Sequence, residues 1–109
     1  MIRKLNLAGE ELKFEMTNRT IFKIDEKYDN FSTVINGLMF GKNLYNNALK
    51  VLVCSCISRE VTEEEFEQKL TAEQITQEIV PLATDLYLED YRGIRESNNS
   101  NEDNKKKRF

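Results

Sequence analysis

The stretch NLYNNALKVLVCSCIS, residues 43–58, decides how the rest of this chain is read. Leu44, Ala48, Leu49, Val51, Leu52, Val53, Cys54, Cys56 and Ile57 leave it little polar face. An element that is apolar nearly all round is stable only when covered on every side, so it belongs at the centre of a fold or in an oligomer interface. Its β-branched residues keep a strand open for residues 50–57, but length and the Leu and Ala content favour a helix over 43–57. The remaining elements are then expected to act as its cover.

On the N-terminal side, Leu5 and Leu7 in MIRKLNL, and Leu12, Phe14 and Met16 in ELKFEMT, alternate with polar residues. That period places one side of each strand against a core. The AGEE between them holds a glycine, so a hairpin is natural. A lone hairpin is marginal in water, so Leu12, Phe14 and Met16 are expected to lie on helices. Next, Thr17 or Asn18 can cap a helix whose apolar stripe is Ile21, Phe22, Ile24 and Tyr28. Asp29-Asn30 ends it, and Phe31, Val34, Ile35 and Leu38 mark another helix, weakened by Gly37 and ended by Gly41.

On the C-terminal side two helix starts are written plainly. Thr62 with Glu65, and Thr71 with Gln74, have the spacing of capping boxes, and Glu63 and Glu64 face a positive helix end. A short helix is expected over about residues 63–70 and a longer one from residue 72. The longer helix carries the stripe Ile75, Ile79, Leu82, Ala83 and Leu86, extended by Val80, Tyr87 and Tyr91. Pro81 removes one backbone hydrogen bond and crowds the carbonyl of Gln77, which predicts a kink or break, and Gly93 closes the helix. The expected class is α+β, mostly α, with an N-terminal β-hairpin packed on a bundle of about five helices. Residues 1–94 form the expected globular domain. Residues 95–109, RESNNSNEDNKKKRF, are too polar to offset chain entropy and are expected to be a disordered tail.

Charge and composition exclude most chemistry. Residues 60–91 set Lys69 against ten carboxylates, which argues against a nucleic-acid surface there and allows a basic protein partner; an ordinary solvated acidic face has the same composition. The chain lacks histidine, its four glycines are scattered, and no phosphate-binding loop is present, so catalytic, metal and cofactor residues are all expected to be none. IDEKYDN lacks the full spacing of a calcium loop and its distal Glu. A helix-turn-helix around KLTAEQ would put Glu73, Glu78 and Asp85 against DNA. Cys54 and Cys56, two apart on a helix, point to different sides and read as buried thiols rather than a disulfide. No apolar run approaches the ~20 residues that span a bilayer, and the first residues lack the apolar stretch of a signal peptide, so a cytosolic protein is expected. What remains is a protein-interaction module.

Three phrases, LKFEMTNRTIFKIDEKYDN, INGLMFGKNLYNNALKVLVCSC and LTAEQITQEIVPLATDLYLEDYRGI, together resemble the small tail assembly chaperones of long-tailed (siphovirus-like) phages and prophages of Gram-positive bacteria. The resemblance covers about residues 1–94 and contains no catalytic signature. It implies a non-enzymatic protein of the host bacterial cytoplasm, absent from the mature virion. Such a protein binds and solubilises the tape measure protein, helps recruit tail tube subunits and self-associates as a homo-oligomer. It also implies a ribosomal frameshift near the gene's end, and Lys105-Lys106-Lys107 is the region where an A-tract could encode one. The tail would then be a polar linker in an extended form. Pattern alone nominates Leu82, Leu86, Tyr87 and Tyr91 as an apolar client surface, and Glu63, Glu64, Glu67 and Glu78 as its acidic rim. The alternative reading is a small regulatory protein-binding module acting on a transcription factor or RNA polymerase.

Overall fold

The computed structural model describes residues 1–28 and 30–93; the tail 95–109, with Lys105, Lys106 and Lys107, lies outside them. In chain order come β1 (Arg3–Leu7), β2 (Glu10–Phe14), α1 (Asn18–Tyr28), α2 (Phe31–Phe40), α3 (Leu44–Ser55), α4 (Glu63–Lys69), α5 (Ala72–Gln77), α6 (Ile79–Asp85) and a π-helix, Leu86–Tyr91. The class is the expected one: α+β, mostly α, with an N-terminal hairpin on a set of helices.

α3 is the centre. Asn47, Ala48, Leu49 and Val51 through Ser55 are buried, and α1, α2, α4 and α6 all pack against it. Its apolar circumference is therefore met from within the chain. The helix stops at Ser55, two residues before the expected end at 57, because β2 takes over its backbone. Cys56 is extended (φ −69°, ψ 125°) and bridges Phe14. The Glu15 amide donates to the Ser55 carbonyl at 2.9 Å, and the Ile57 amide donates to the Lys13 carbonyl at 2.8 Å. The strand tendency of this stretch is thus expressed only at its end.

β1 and β2 pair antiparallel with Leu5 opposite Leu12 and Arg3 opposite Phe14. Leu5, Leu7, Leu12 and Phe14 all face the core, and Met16 is buried just beyond the strand. The connection is the two-residue pair Ala8-Gly9, with φ of 52° and 92°. Two positive φ values match the twist of a hairpin, and the Gly9 amide donates to Asn6 Oδ1 at 2.9 Å.

Thr17 stands just before α1: its carbonyl accepts from the amides of Thr20 and Ile21, while its amide donates to Thr20 Oγ1. The stripe expected from sequence is corrected here. Thr20 and Ile24 are the buried pair, Ile21 and Tyr28 are half-buried, and Phe22 is 68% exposed. Two residues from Ile24 is about 200° around the cylinder, so one side cannot bury both.

α2 is capped by Asn30, whose Oδ1 accepts from the Ser32 amide, and ends at Gly41 in the left-handed conformation (φ 78°). Gly37 does more than weaken this helix. A Cβ there would lie 2.0 Å from Asn47 Nδ2 and 2.6 Å from the Lys42 carbonyl oxygen. Asn47, buried on α3, donates from that nitrogen to the same carbonyl at 2.8 Å. The glycine is the gap through which α2 and α3 reach contact and the tight connection between them closes.

Thr62 caps α4 by accepting from the Glu65 amide, but the reciprocal half of the expected capping box is absent, because the Glu65 carboxylate turns to Arg59 and Lys69. The Thr71–Gln74 box is complete. The expected break is present at Glu78 (φ −117°, ψ −43°), one residue after Gln77, whose carbonyl Pro81 cannot serve. α6 then buries Ile79 and Ala83 against α3, and Leu86 continues the same stripe in the π-helix. The Arg92 amide donates five residues back to the Tyr87 carbonyl, and Gly93 ends the segment at φ 73°.

Ala is a better helix former than Gly by about 1 kcal/mol, so Gly37→Ala would stabilise an isolated α2. In the folded protein the clash with Asn47 and with backbone decides the sign. Urea denaturation is expected to show Gly37→Ala destabilised by roughly 1–3 kcal/mol. A midpoint equal to or above that of the parent would contradict this helix contact.

Candidate functional site

The residues nominated from sequence do not form one surface. Leu86 is fully buried and belongs to the core, and Leu82 is half-buried against it. Tyr87 lies between Phe31 and Tyr91, with ring centres 5.9 Å and 6.2 Å away, and the Arg92 guanidinium stands over it. Tyr91 is at the surface, and its hydroxyl meets Asn18 Oδ1 at 2.6 Å. This aromatic row therefore ties the π-helix to the N-terminal ends of α1 and α2, leaving Tyr91 as its outer edge. Glu64, Glu67 and Glu78 are exposed, whereas Glu63 is half-buried beside Tyr28. The Tyr28 hydroxyl is buried without a hydrogen bond of regular geometry; burial first, and its approach to the Glu63 carboxylate second, hold the phenol well above its ordinary pKa.

Two arginines anchor the hairpin to the helices. Arg3 grips both oxygens of Asp90 at 2.8 and 2.9 Å and reaches Glu89 at 2.8 Å. The Asp90 side chain is only 3% exposed, so this pair works in a poorly hydrated place and leaves it badly unbalanced if one member is lost. Arg59 joins Glu10 of β2 to Glu65 of α4. Arg59 first and Lys69 second pull the Glu65 carboxyl down to about 2, and Arg59 also lowers that of Glu10.

A groove of about 430 Å³ opens where α1, the end of α3 and the segment before α4 meet. Lys23, Lys27, Cys54, Cys56, Ile57 and Arg59 are among its walls. Cys56, being off the helix, faces the same groove as Cys54, which helical spacing alone did not anticipate. Both are free thiols; Cys54 is buried, and burial pushes its pKa up. A second groove, about 380 Å³, runs between α2 and α3 past Phe40, Lys42 and Lys50. Phe22, expected from sequence to lie on an apolar stripe, and Phe40, not singled out there, are the most exposed aromatics among the described residues, at 68% and 83%. Their signal was present in the spacing: each falls off the stripe of its own helix.

Among the described residues no group of three or more His, Cys, Asp or Glu is placed to hold a metal, and no helix is long and apolar enough to cross a membrane. No protein-family model, no curated protein and no solved structure matches the chain. What the surface offers is binding area: two open grooves, exposed aromatics and an acidic α4.

Two measurements test this description. A thiol-reactive chromophore should modify Cys56 promptly in the native protein and Cys54 only on unfolding; two equally fast thiols would contradict the burial of Cys54. The Glu65 carboxyl lies below its ordinary value of 4.5, so its contribution is fully present above that pH and is lost as the pH falls towards about 2. Glu65→Gln should therefore melt at a lower temperature than the parent near neutrality, and the two curves should converge in acid. A constant gap across that range would show that Arg59 and Glu65 are not coupled in solution.

Proposed function

We propose that this chain is a tail assembly chaperone of a long-tailed phage or prophage of a Gram-positive bacterium. In this reading it binds the tape measure protein in the host cytoplasm, keeps it soluble, helps recruit tail tube subunits and is left out of the mature virion. A frameshift-extended form belongs to the same proposal. The reading is supported by the three phrases that carry the resemblance over residues 1–94. The observation that carries it furthest is where the large apolar side chains lie. The core is closed around α3, and yet Phe22 and Phe40 stand in water on the outer sides of α1 and α2. An aromatic left exposed after the core is full is available to another chain's apolar segment. The acidic α4, with Glu64 and Glu67 exposed, supplies charge that selects among such segments without requiring a fixed shape.

The test is co-expression with the long coiled-coil protein encoded beside this chain's gene. The reading expects that protein to stay in the supernatant only when this chain is present. It also expects retention to weaken in low salt when Glu64→Lys and Glu67→Lys are combined. Equal precipitation with and without this chain would overturn the reading, as would co-purification with RNA polymerase in place of the long protein.

A further inference from the structure

The chain has 19 acidic residues, but none lies between Asn30 and Ser58, which carry only Lys42 and Lys50 as charges. The fold joins these two lysines to two more. Lys23 and Lys27, one turn apart on α1, line the groove at Cys56 and Ile57. The Lys27 ammonium stands 5.9 Å from the centre of the Tyr28 ring, and the Lys50 ammonium of α3 stands 5.3 Å from the same ring. Lys50 in turn lines the second groove together with Lys42 and Phe40. Lys27 from the first groove and Lys50 from the second thus stand at the same ring, and the two grooves together are taken as one band. Among the described residues none of the four lysines forms an ion pair; the ion-paired cations are Arg3, Lys4, Arg59 and Lys69. Glu60 in the first groove and Glu63 beside Tyr28 border the band on its α4 side.

We propose that this band is a docking site for an acidic amphipathic segment of a partner protein. The segment's carboxylates would meet Lys23, Lys27, Lys50 and Lys42, and its apolar side chains would enter the grooves beside Ile57 and Phe40. Complementary charge gives the direction, since four ammonium groups that form no ion pair and line two neighbouring grooves attract carboxylates. Exposed apolar side chains give the rest. Ile57 is 50% exposed in the first groove and Phe40 is 83% exposed in the second, so the band is bounded by an apolar contact in each. A nucleic acid fits less well, because the four free cations are ammonium groups and the guanidinium in the first groove, Arg59, is already held by Glu10 and Glu65. The inference does not rest on the chaperone reading: the two share the exposed Phe40, but the chaperone reading adds the carboxylates of α4, which would select a segment of opposite charge.

The probe is a fluorescein-labelled peptide of Glu, Leu and Phe at helical spacing, about 18 residues or roughly 27 Å long as a helix. Fluorescence anisotropy should show saturable binding with Kd at or below about 10 μM in low salt, weakening as salt shortens the screening length below ~10 Å. The double variant Lys23→Glu/Lys42→Glu should bind at least about tenfold more weakly while its thermal melt is retained. Phe40→Ser, at a site that supports no core packing, should weaken binding independently. Glu64→Lys/Glu67→Lys should leave peptide binding in place, which separates this proposal from the chaperone test. The proposal is overturned by no anisotropy change at about 100 μM peptide, or by equal affinity in the lysine double variant. It is also overturned if single-stranded oligothymidine binds more tightly than the peptide. Self-association of the chain that Lys42→Glu abolishes would assign the band to a second copy and overturn it equally.

Discussion

The apolar circumference of α3 is the constraint on which the other elements depend. A helix polar on one side needs one neighbour; this one needs a neighbour in every direction. α1, α2, α4 and α6 supply them, and β2 closes the lower end by bridging Cys56. Each side is solved by a different device. On the α2 side, Gly37 lets Asn47 into contact, and Asn47 spends its amide on the Lys42 carbonyl of the connecting turn. A buried polar side chain is tolerated there because its donor is used, and the bond it makes fixes the turn. On the α6 side the stripe Ile79, Ala83 and Leu86 faces α3, with a small residue between two large ones. Breaking the helix at Glu78 frees α5 to leave that stripe. α5 buries no residue of its own and reaches the hairpin through Gln74, which donates to the Asn6 carbonyl at 2.6 Å.

The hairpin could not stand alone, and its attachment shows how charge is used in this fold. Its apolar side is buried, but its two ends are held by guanidinium groups pointing opposite ways along the chain. Arg3 extends from β1 to the π-helix, and Arg59 extends from the segment before α4 to β2. Most exposed ion pairs contribute little. The Arg3–Asp90 pair is different in kind because its carboxylate is almost dry, so its two hydrogen bonds satisfy a charge that water cannot reach. The π-helix supports this arrangement by carrying Glu89 and Asp90 next to each other towards Arg3 while Leu86 remains in the core.

Much of this was legible in sequence because the relevant signals are local. The alternation of Leu12, Phe14 and Met16, the Thr71–Gln74 box, the stop at Gly41 and the break before Pro81 each depend on a few adjacent residues, and each is present. The failures share a cause as well. Phe22 was grouped with Ile21 and Ile24 because three apolar residues stood together, but a helix surface turns about 100° per residue and α3 covers one side of it. Thr20 was missed since its burial depends on exchanging hydrogen bonds with Thr17 and Glu15, not on hydrophobicity. Gly37 read as a propensity defect because its partner, Asn47, lies on another helix. Glu65 read as a capping residue because Arg59, six residues earlier, is outside the motif. The surfaces were least legible. Grooves are made by elements meeting, and the junction of Lys27 and Lys50 at Tyr28 joins α1 to α3 across a large separation in sequence.

The separation of charge follows from that same central constraint. α3 is largely interior and α2 packs along it, and a carboxylate near a crowded helix pair is costly to dehydrate. The exposed positions of these helices and of the connection between them include Ser32, Thr33, Asn36, Asn43, Asn46 and Lys42, with Lys50 half-buried. The carboxylates accumulate on the later helices, where α4 and α5 bury little and their first turns favour negative charge. The acid-free run 30–58 and the acid-rich run 60–91 therefore fall on different elements, α2 and α3 against the later helices. Such a charge distribution orients an approaching chain before any contact forms. A chain whose total is only −3 would show little of this in its overall charge; the fold is what divides it.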